Sequence, residues 1–227
     1  MNVILAWGLI PPILLIIYMY RLDRIEKEPA GLIFKTFLFG ALSAFAAMAL
    51  ETLGESILSA LGIYEESLLY IFLSNFLVVA VSEELSKRTA MKLAVWNHPE
   101  FNFRFDAVIY SVTAALGFAA LENILYMISF GTGIALARLI PTHSICGLFM
   151  GAFLGVAKTA ELDGNLARRS LYMKLSLLIP ILIHGFYDFC LSTGSDTLSL
   201  FVLVFIFILT IISWSRLKKY AREDQQI

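Results

Sequence analysis

Apolar and polar positions along the chain divide it into long apolar runs separated by short polar connections. Seven runs are long enough to cross a bilayer, at residues 3–20, 31–50, 68–96, 107–129, 134–157, 171–191 and 198–214. A hydrocarbon core of ~30 Å needs about 20 apolar residues of helix to span it. None of the runs alternates with period two, so helices rather than a β-barrel are predicted. The third run is the longest and is expected to tilt or to extend past the bilayer. No internal repeat, low-complexity tract or domain boundary is visible. The expected fold is all-α, a polytopic transmembrane helix bundle of about seven spans forming one domain over residues 1–227. The first run has no basic n-region and no small-x-small site ahead of Arg21. It is read as a retained span kinked at Pro11 and Pro12, not as a signal peptide.

Composition agrees with this reading. Apolar residues make up 59% of the 227 and charged ones only 15%, which excludes an ordinary soluble domain. A net charge of −1 offers no basic surface for nucleic acid. Cys146 and Cys190 fall inside apolar runs and are read as small hydrophobic filler. The basic residues are segregated. Arg21, Arg24 and Lys27, then Lys92 and Arg104, then Lys158, Arg168, Arg169 and Lys174, then Arg216, Lys218, Lys219 and Arg222 occupy every second connection and the tail. The alternate connections, 51–67, 130–133 and 192–197, hold no Lys or Arg. By the positive-inside rule the N-terminus is expected outside and the C-terminus in the cytoplasm.

Candidate chemistry enters where polar residues interrupt the apolar runs. The third run contains Ser82-Glu83-Glu84-Leu85-Ser86-Lys87-Arg88. A charge at the bilayer centre costs about 2.5–3.5 kcal/mol on insertion scales, and helix packing does not require it. The fourth run contains Gly117-Phe118 and then Glu122-Asn123, the fifth Pro141-Thr142-His143-Ser144, and the sixth His184-Gly185-Phe186-Tyr187-Asp188 after Pro180. At ~1.5 Å per residue, Glu122 lies ~22 Å and His184 ~20 Å from the cytoplasmic starts of their spans, and His143 ~14 Å below the outer surface. These depths are compatible with one water-filled cavity opening outward. Two imidazoles with two or three carboxylates are the ligand set of a hydrolytic zinc site, and a further carboxylate can serve as the base for its water.

Each of these residues also has a plainer reading. Glu83 and Glu84 can form a buried charge ladder with Lys87 and Arg88 at i+4. Adjacent side chains diverge by about 100° on a helix, so only one of the two acids is expected to enter the site. Glu83 is favoured there, with Glu84 engaged by Lys or Arg. Glu122, Asn123 and the histidines can act as interhelical hydrogen-bonders. Asp188 stays open between ligand, orienting group and structural acid. His98 reads as part of an interfacial turn, and Glu51 and Glu55 as solvated acids at the outer edge. Arg138 is expected to snorkel or to neutralise an acid. Pro141 and Pro180 are expected to kink their helices open beside the two histidines.

Three motifs carry a family resemblance. Glu83 to Lys87 fits EExxK, Phe118 to Glu122 fits FxxxE, and His184 to Asp188 fits HxxxD. In that order on separate spans they resemble the PrsW family of intramembrane proteases, related to the type II CAAX prenyl endopeptidases. The resemblance covers a catalytic core of about residues 68–191. It implies site-1 cleavage of the extracytoplasmic part of a single-span anti-sigma factor in an envelope-stress response. By this likeness Glu83 is the water-activating base and Glu84 its partner. Glu122, His143 and His184 hold the metal or the water, and Asp188 is a further ligand or an orienting group. Phe118 supplies packing. Two competing readings stand beside it: a proton- or cation-coupled transporter using the acids as a relay, and a non-catalytic membrane scaffold.

Overall fold

The structure is a computed structural model that describes residues 2–135 and 141–227. Arg138 lies outside the described residues. Among the described residues, seven helices long and apolar enough to cross a membrane follow in order: α1 Asn2–Leu22, α2 Ala30–Ala60, α3 Leu68–Val95, α4 Arg104–Phe130, α5 Thr142–Leu162, α6 Leu166–Ser192 and α7 Asp196–Arg222. Among the described residues the one β-type contact is an isolated bridge between Phe103 and Gln226. The expected all-α bundle is what the chain forms.

The bundle is organised around α4. Within its most apolar window 72% of residues are buried, against 17% in α1 and α7, so the outer helices face lipid and α4 is the axis. Small residues let its neighbours approach closely, as in membrane helix pairs generally. A Cβ on Gly117 would land on the Phe37 carbonyl, and one on Gly40 would land on the Ala114 carbonyl. On the other flank Gly147, Gly151 and Gly155, one turn apart on α5, lie against Val112, Val108 and Arg104 respectively. The α4–α5 contacts run in opposite order along the two helices, which are antiparallel, whereas α2 and α4 are parallel, since Tyr110 meets Glu28 ahead of α2 and Phe118 clusters with Ala44 and Ala47 further along both helices. We expect Gly117→Ala to destabilise the bundle by about 1–3 kcal/mol through overpacking. Gly31→Ala, where a new Cβ meets nothing within 4 Å, should be neutral. Thermal unfolding of the two variants in the same micelles measures the difference.

The basic connections gather at one end. There the tail returns to α4: Arg104 N donates to Gln225 O at 3.0 Å and Phe105 N to Asp224 Oδ1 at 2.8 Å. Glu28, buried between α1 and α2, accepts from the Tyr110 hydroxyl, and burial raises its carboxyl above the usual range.

Three expectations are corrected. The fifth helix starts at Thr142, not near 134, because Pro141 occupies the capping position ahead of its first turn, where a missing N–H costs nothing. Pro141 therefore begins a helix and does not kink one, whereas Pro180 does lie inside α6. Helix α2 runs ten residues past 50, so Glu51 and Glu55 are helical rather than part of an aqueous loop. Glu55 accepts from Ser74 Oγ at 2.5 Å and from Tyr70, which ties α2 to the start of α3.

Candidate active site

The site is built outward from Lys87, which is fully buried. On a helix a residue neighbours both i−3 and i−4, so one ammonium on α3 reaches two successive acids. Lys87 Nζ donates to Glu83 Oε2 at 2.8 Å and to Glu84 Oε1 at 2.9 Å. It also lies 3.0 Å from His143 Nδ1 and sits over the Phe118 ring at 4.3 Å. Phe118 thus gives a cation–π contact as well as packing. Both acids converge on one place, contrary to the divergence expected of adjacent residues. Their side chains are long enough to bend back to the shared ammonium. Arg88 does not pair with Glu84, and its Nη1 donates to the Met173 carbonyl at 2.8 Å.

His184, on α6, is held at both ring nitrogens. Nδ1 is 2.8 Å from Glu84 Oε1, and Nε2 is 3.0 Å from Asp188 Oδ2 and 3.7 Å from Glu83 Oε2. His143, the second residue of α5, has Nε2 2.9 Å from Glu122 Oε2. A lysine ammonium can only donate, so His143 Nδ1 accepts and Nε2 is the protonated nitrogen, within ion-pair distance of Glu122. The two imidazole rings are 5.5 Å apart and nearly perpendicular. Glu122, Glu83, His143 and His184 therefore meet from four different helices. Their depth follows from helix lengths: at ~1.5 Å per residue Glu122, His143 and His184 lie ~27–28 Å from the basic end of their helices, and Glu83 ~18 Å. The cluster sits in the half of the bundle away from the basic loops. His143 reaches it because α5 begins at that level, not because it lies deep within a continuous span.

A cavity of about 370 Å³ opens beside the cluster. Glu83, Glu122, His143, His184 and Asp188 line it; Glu84 and Lys87 do not. Asn75, Tyr126 and Ser192 continue it toward the end that lacks Lys and Arg. Glu83 faces the cavity, while Glu84, completely buried, lies against the His184 ring from behind.

Sequence reasoning missed two contributors. Asn75 lies in a π-helical stretch of α3, Ser74–Val79, a distortion that often accompanies functional sites. Its Nδ2 donates to Ile71 O at 2.7 Å, and Ser192 Oγ donates to its Oδ1 at 3.3 Å. Glu51 is the second. Ala47 of α2 packs on Phe118 of the parallel α4, so residues one turn further along each helix, Glu51 and Glu122, lie side by side. Lys87 was already paired with the acids in the sequence, and the structure adds its second bond, at i−3 to Glu84.

The donor chemistry can be tested against a metal. Ligand atoms of Glu83, Glu84, His143 and His184 lie within 4.8 Å of one another. Lys87 Nζ stands among them, however, and an ammonium repels a second cation. The cavity side suits a cation better, with His184 Nε2 and carboxylates of Glu122, Asp188 and Glu83. His184 fits as a ligand, since Nδ1 can donate to Glu84 while Nε2 offers its lone pair, the usual carboxylate–histidine–metal arrangement. His143 fits once Lys87 releases Nδ1, because a neutral imidazole cannot accept at one nitrogen and ligate through the other. With His143 freed from Lys87 and His184 Nε2 freed of the proton it shares with Asp188, the residues suit a hydrolytic metal.

Fold and site together define a multi-pass membrane protein with a hydrolase-type cluster of acids and imidazoles inside its bundle. The model of the PrsW family intramembrane metalloprotease matches residues 28–213. Protease PrsW of Oceanobacillus iheyensis is 34% identical over 219 residues, 95% of each chain. Protease PrsW of Geobacillus kaustophilus is 35% identical over 191 residues, 83% of this chain and 79% of its own. That of Bacillus subtilis is 33% identical over 199 residues, 86% of each. The chain belongs to the PrsW family of intramembrane metalloproteases and is a membrane-embedded peptidase. No solved structure matches it. Membership selects the peptidase reading over the transporter and the scaffold.

Proposed function

We propose that the chain makes a site-1 cut on the extracytoplasmic side of a single-span membrane protein of the anti-sigma-factor type. The single observation that carries this reading is the cavity that joins Glu83, Glu122, His143, His184 and Asp188 and runs toward the base-free end of the bundle. That end is extracytoplasmic if the basic end is cytoplasmic, as the positive-inside rule requires.

In this reading Glu83 takes a proton from a water in the cavity, and the resulting hydroxide attacks the scissile carbonyl carbon. When bound, a zinc ion held by His143, His184, Glu122 and Asp188 supplies Lewis acidity, lowering the pKa of the water and polarising that carbonyl. Glu84 keeps His184 in the required tautomer. The proton gained by Glu83 passes to the departing amine as the C–N bond breaks, which returns the carboxylate to its starting state. Asp188, which would give up its contact with His184 Nε2 when that nitrogen binds the metal, completes with Glu122 the set of oxygen donors.

Two measurements test the proposal. Elemental analysis of the purified protein should find about one zinc per chain, lost in both His184→Ala and His143→Ala. Incubation with a single-span substrate, followed by mass spectrometry of the fragments, should place the cut at the extracytoplasmic end of its span. A cut on the cytoplasmic side would overturn the assigned sidedness, and wild-type zinc content in both histidine variants would overturn the ligand set.

A further inference from the structure

The end of the bundle opposite the cavity mouth carries two adjoining grooves between α3 and α6, enclosing about 610 and 450 Å³ and sharing Arg88 and Arg169. Lys92 lines the first and Lys174 the second. Among the described residues the only acid on either wall is Glu161, and it is already engaged, at 3.3 Å by Lys158 and at 2.6 Å by Arg169. Among the described residues Arg88, Lys92 and Lys174 form no ion pair. Lys92 shares its groove wall with Arg88 and Arg169 and rests on the Trp96 ring, its Nζ 4.9 Å from the centroid.

The position of this charge matters as much as its sign. Arg88 precedes the last helical residue of α3 by seven positions, which places its backbone ~10 Å inside the bundle. Its guanidinium makes one bond, to the Met173 carbonyl, and leaves most of its five N–H groups for an outside acceptor. The second groove continues inward along Leu177, Leu178 and Ile181. Leu93 on one flank and Leu178 on the other are 72% and 49% exposed, so the grooves open sideways onto the lipid-facing surface. A ligand suited to this shape has an anionic phosphate at one end and a hydrocarbon chain at the other. Arginine presents a planar fork to phosphate, and basic pockets between membrane helices hold lipid headgroups in this way.

We infer that the α3–α6 groove is a binding site for one anionic glycerophospholipid, its phosphate on Arg88, Lys92, Arg169 and Lys174 and an acyl chain along Leu177, Leu178 and Ile181. The lipid would brace α3 against α6, the two helices that carry Glu83 and His184, one residue from Lys87.

The test uses the full chain purified in neutral detergent, with native mass spectrometry and thermal unfolding as readouts. Phosphatidylglycerol should be retained by the protein and raise Tm by roughly 5 °C at saturation. Phosphatidylcholine and inorganic phosphate should do neither. Lys92→Gln/Lys174→Gln, at half-buried and exposed positions that leave the packing intact, should weaken phosphatidylglycerol binding about tenfold, with Arg88→Gln as a second variant. An equal shift with phosphatidylcholine would mean unspecific solvation, and one with phosphate a free-anion site; either overturns the inference. So does unchanged phosphatidylglycerol binding in both variants.

Discussion

Glu83→Gln is expected to reduce substrate cleavage by about 10²–10⁴-fold, the range over which a positioned general base contributes, with the protein still inserted and folded. The substitution keeps the side chain's volume and an oxygen that can accept from Lys87, 2.8 Å away. It removes the lone-pair basicity needed to deprotonate water. Lys87 keeps Glu84 as its counter-charge at 2.9 Å, so the ammonium is not stranded. The loss should therefore fall on kcat and leave KM near its wild-type value, as for a group used only in the transition state. Glu84→Gln makes the contrast. It lies behind His184 rather than on the cavity wall and acts by fixing the ring, so a smaller loss of about 10–100-fold is expected. Single-turnover cleavage of a fluorescent single-span substrate separates the two. If Glu83→Gln retained wild-type kcat, the base would have to be another residue, with Glu122 next in line.

Much of this site was legible in the sequence because hydrocarbon penalises unexplained polarity. Glu83, Glu122, His143, His184 and Asp188 are conspicuous as polar residues in apolar runs, and helical rise alone placed most of them at compatible depths. Three kinds of information were not legible. Helix ends were misjudged wherever apolarity continued past the real boundary: hydropathy joins residues 134–141 to α5, while Pro141 sets the start of the helix. Pairwise register was hidden as well. Glu51 looks solvated until Ala47 is seen against Phe118, which brings the next turn of α2 alongside Glu122. Side-chain reach was the third. The 100° between Glu83 and Glu84 is correct for their Cβ atoms, but Lys87 lies between the two directions and gathers both carboxylates.

The Lys87 junction gives the largest expected effect on stability. Lys87→Met should destabilise the bundle by about 3–5 kcal/mol, since removing one partner of a buried ion group leaves the other charge uncompensated. Here two carboxylates lose their cation, and both are buried, with side-chain exposures of 7% for Glu83 and none for Glu84. His143 Nδ1 loses its donor in the same step. Pairing the substitution with Glu84→Gln should recover part of the loss, because one fewer buried charge then goes unpaired and the amide can still bond to His184. Zinc provides an independent check. A divalent cation bound on the cavity side would sit near the same carboxylates and take over part of the lysine's role, so added zinc should raise the Tm of Lys87→Met more than that of wild type. Thermal unfolding in detergent, with zinc and with chelator, reads all four combinations of Lys87 and Glu84. Wild-type stability in chelated Lys87→Met would mean that the acids are neutral in the fold, and that a proton rather than the ammonium holds them together.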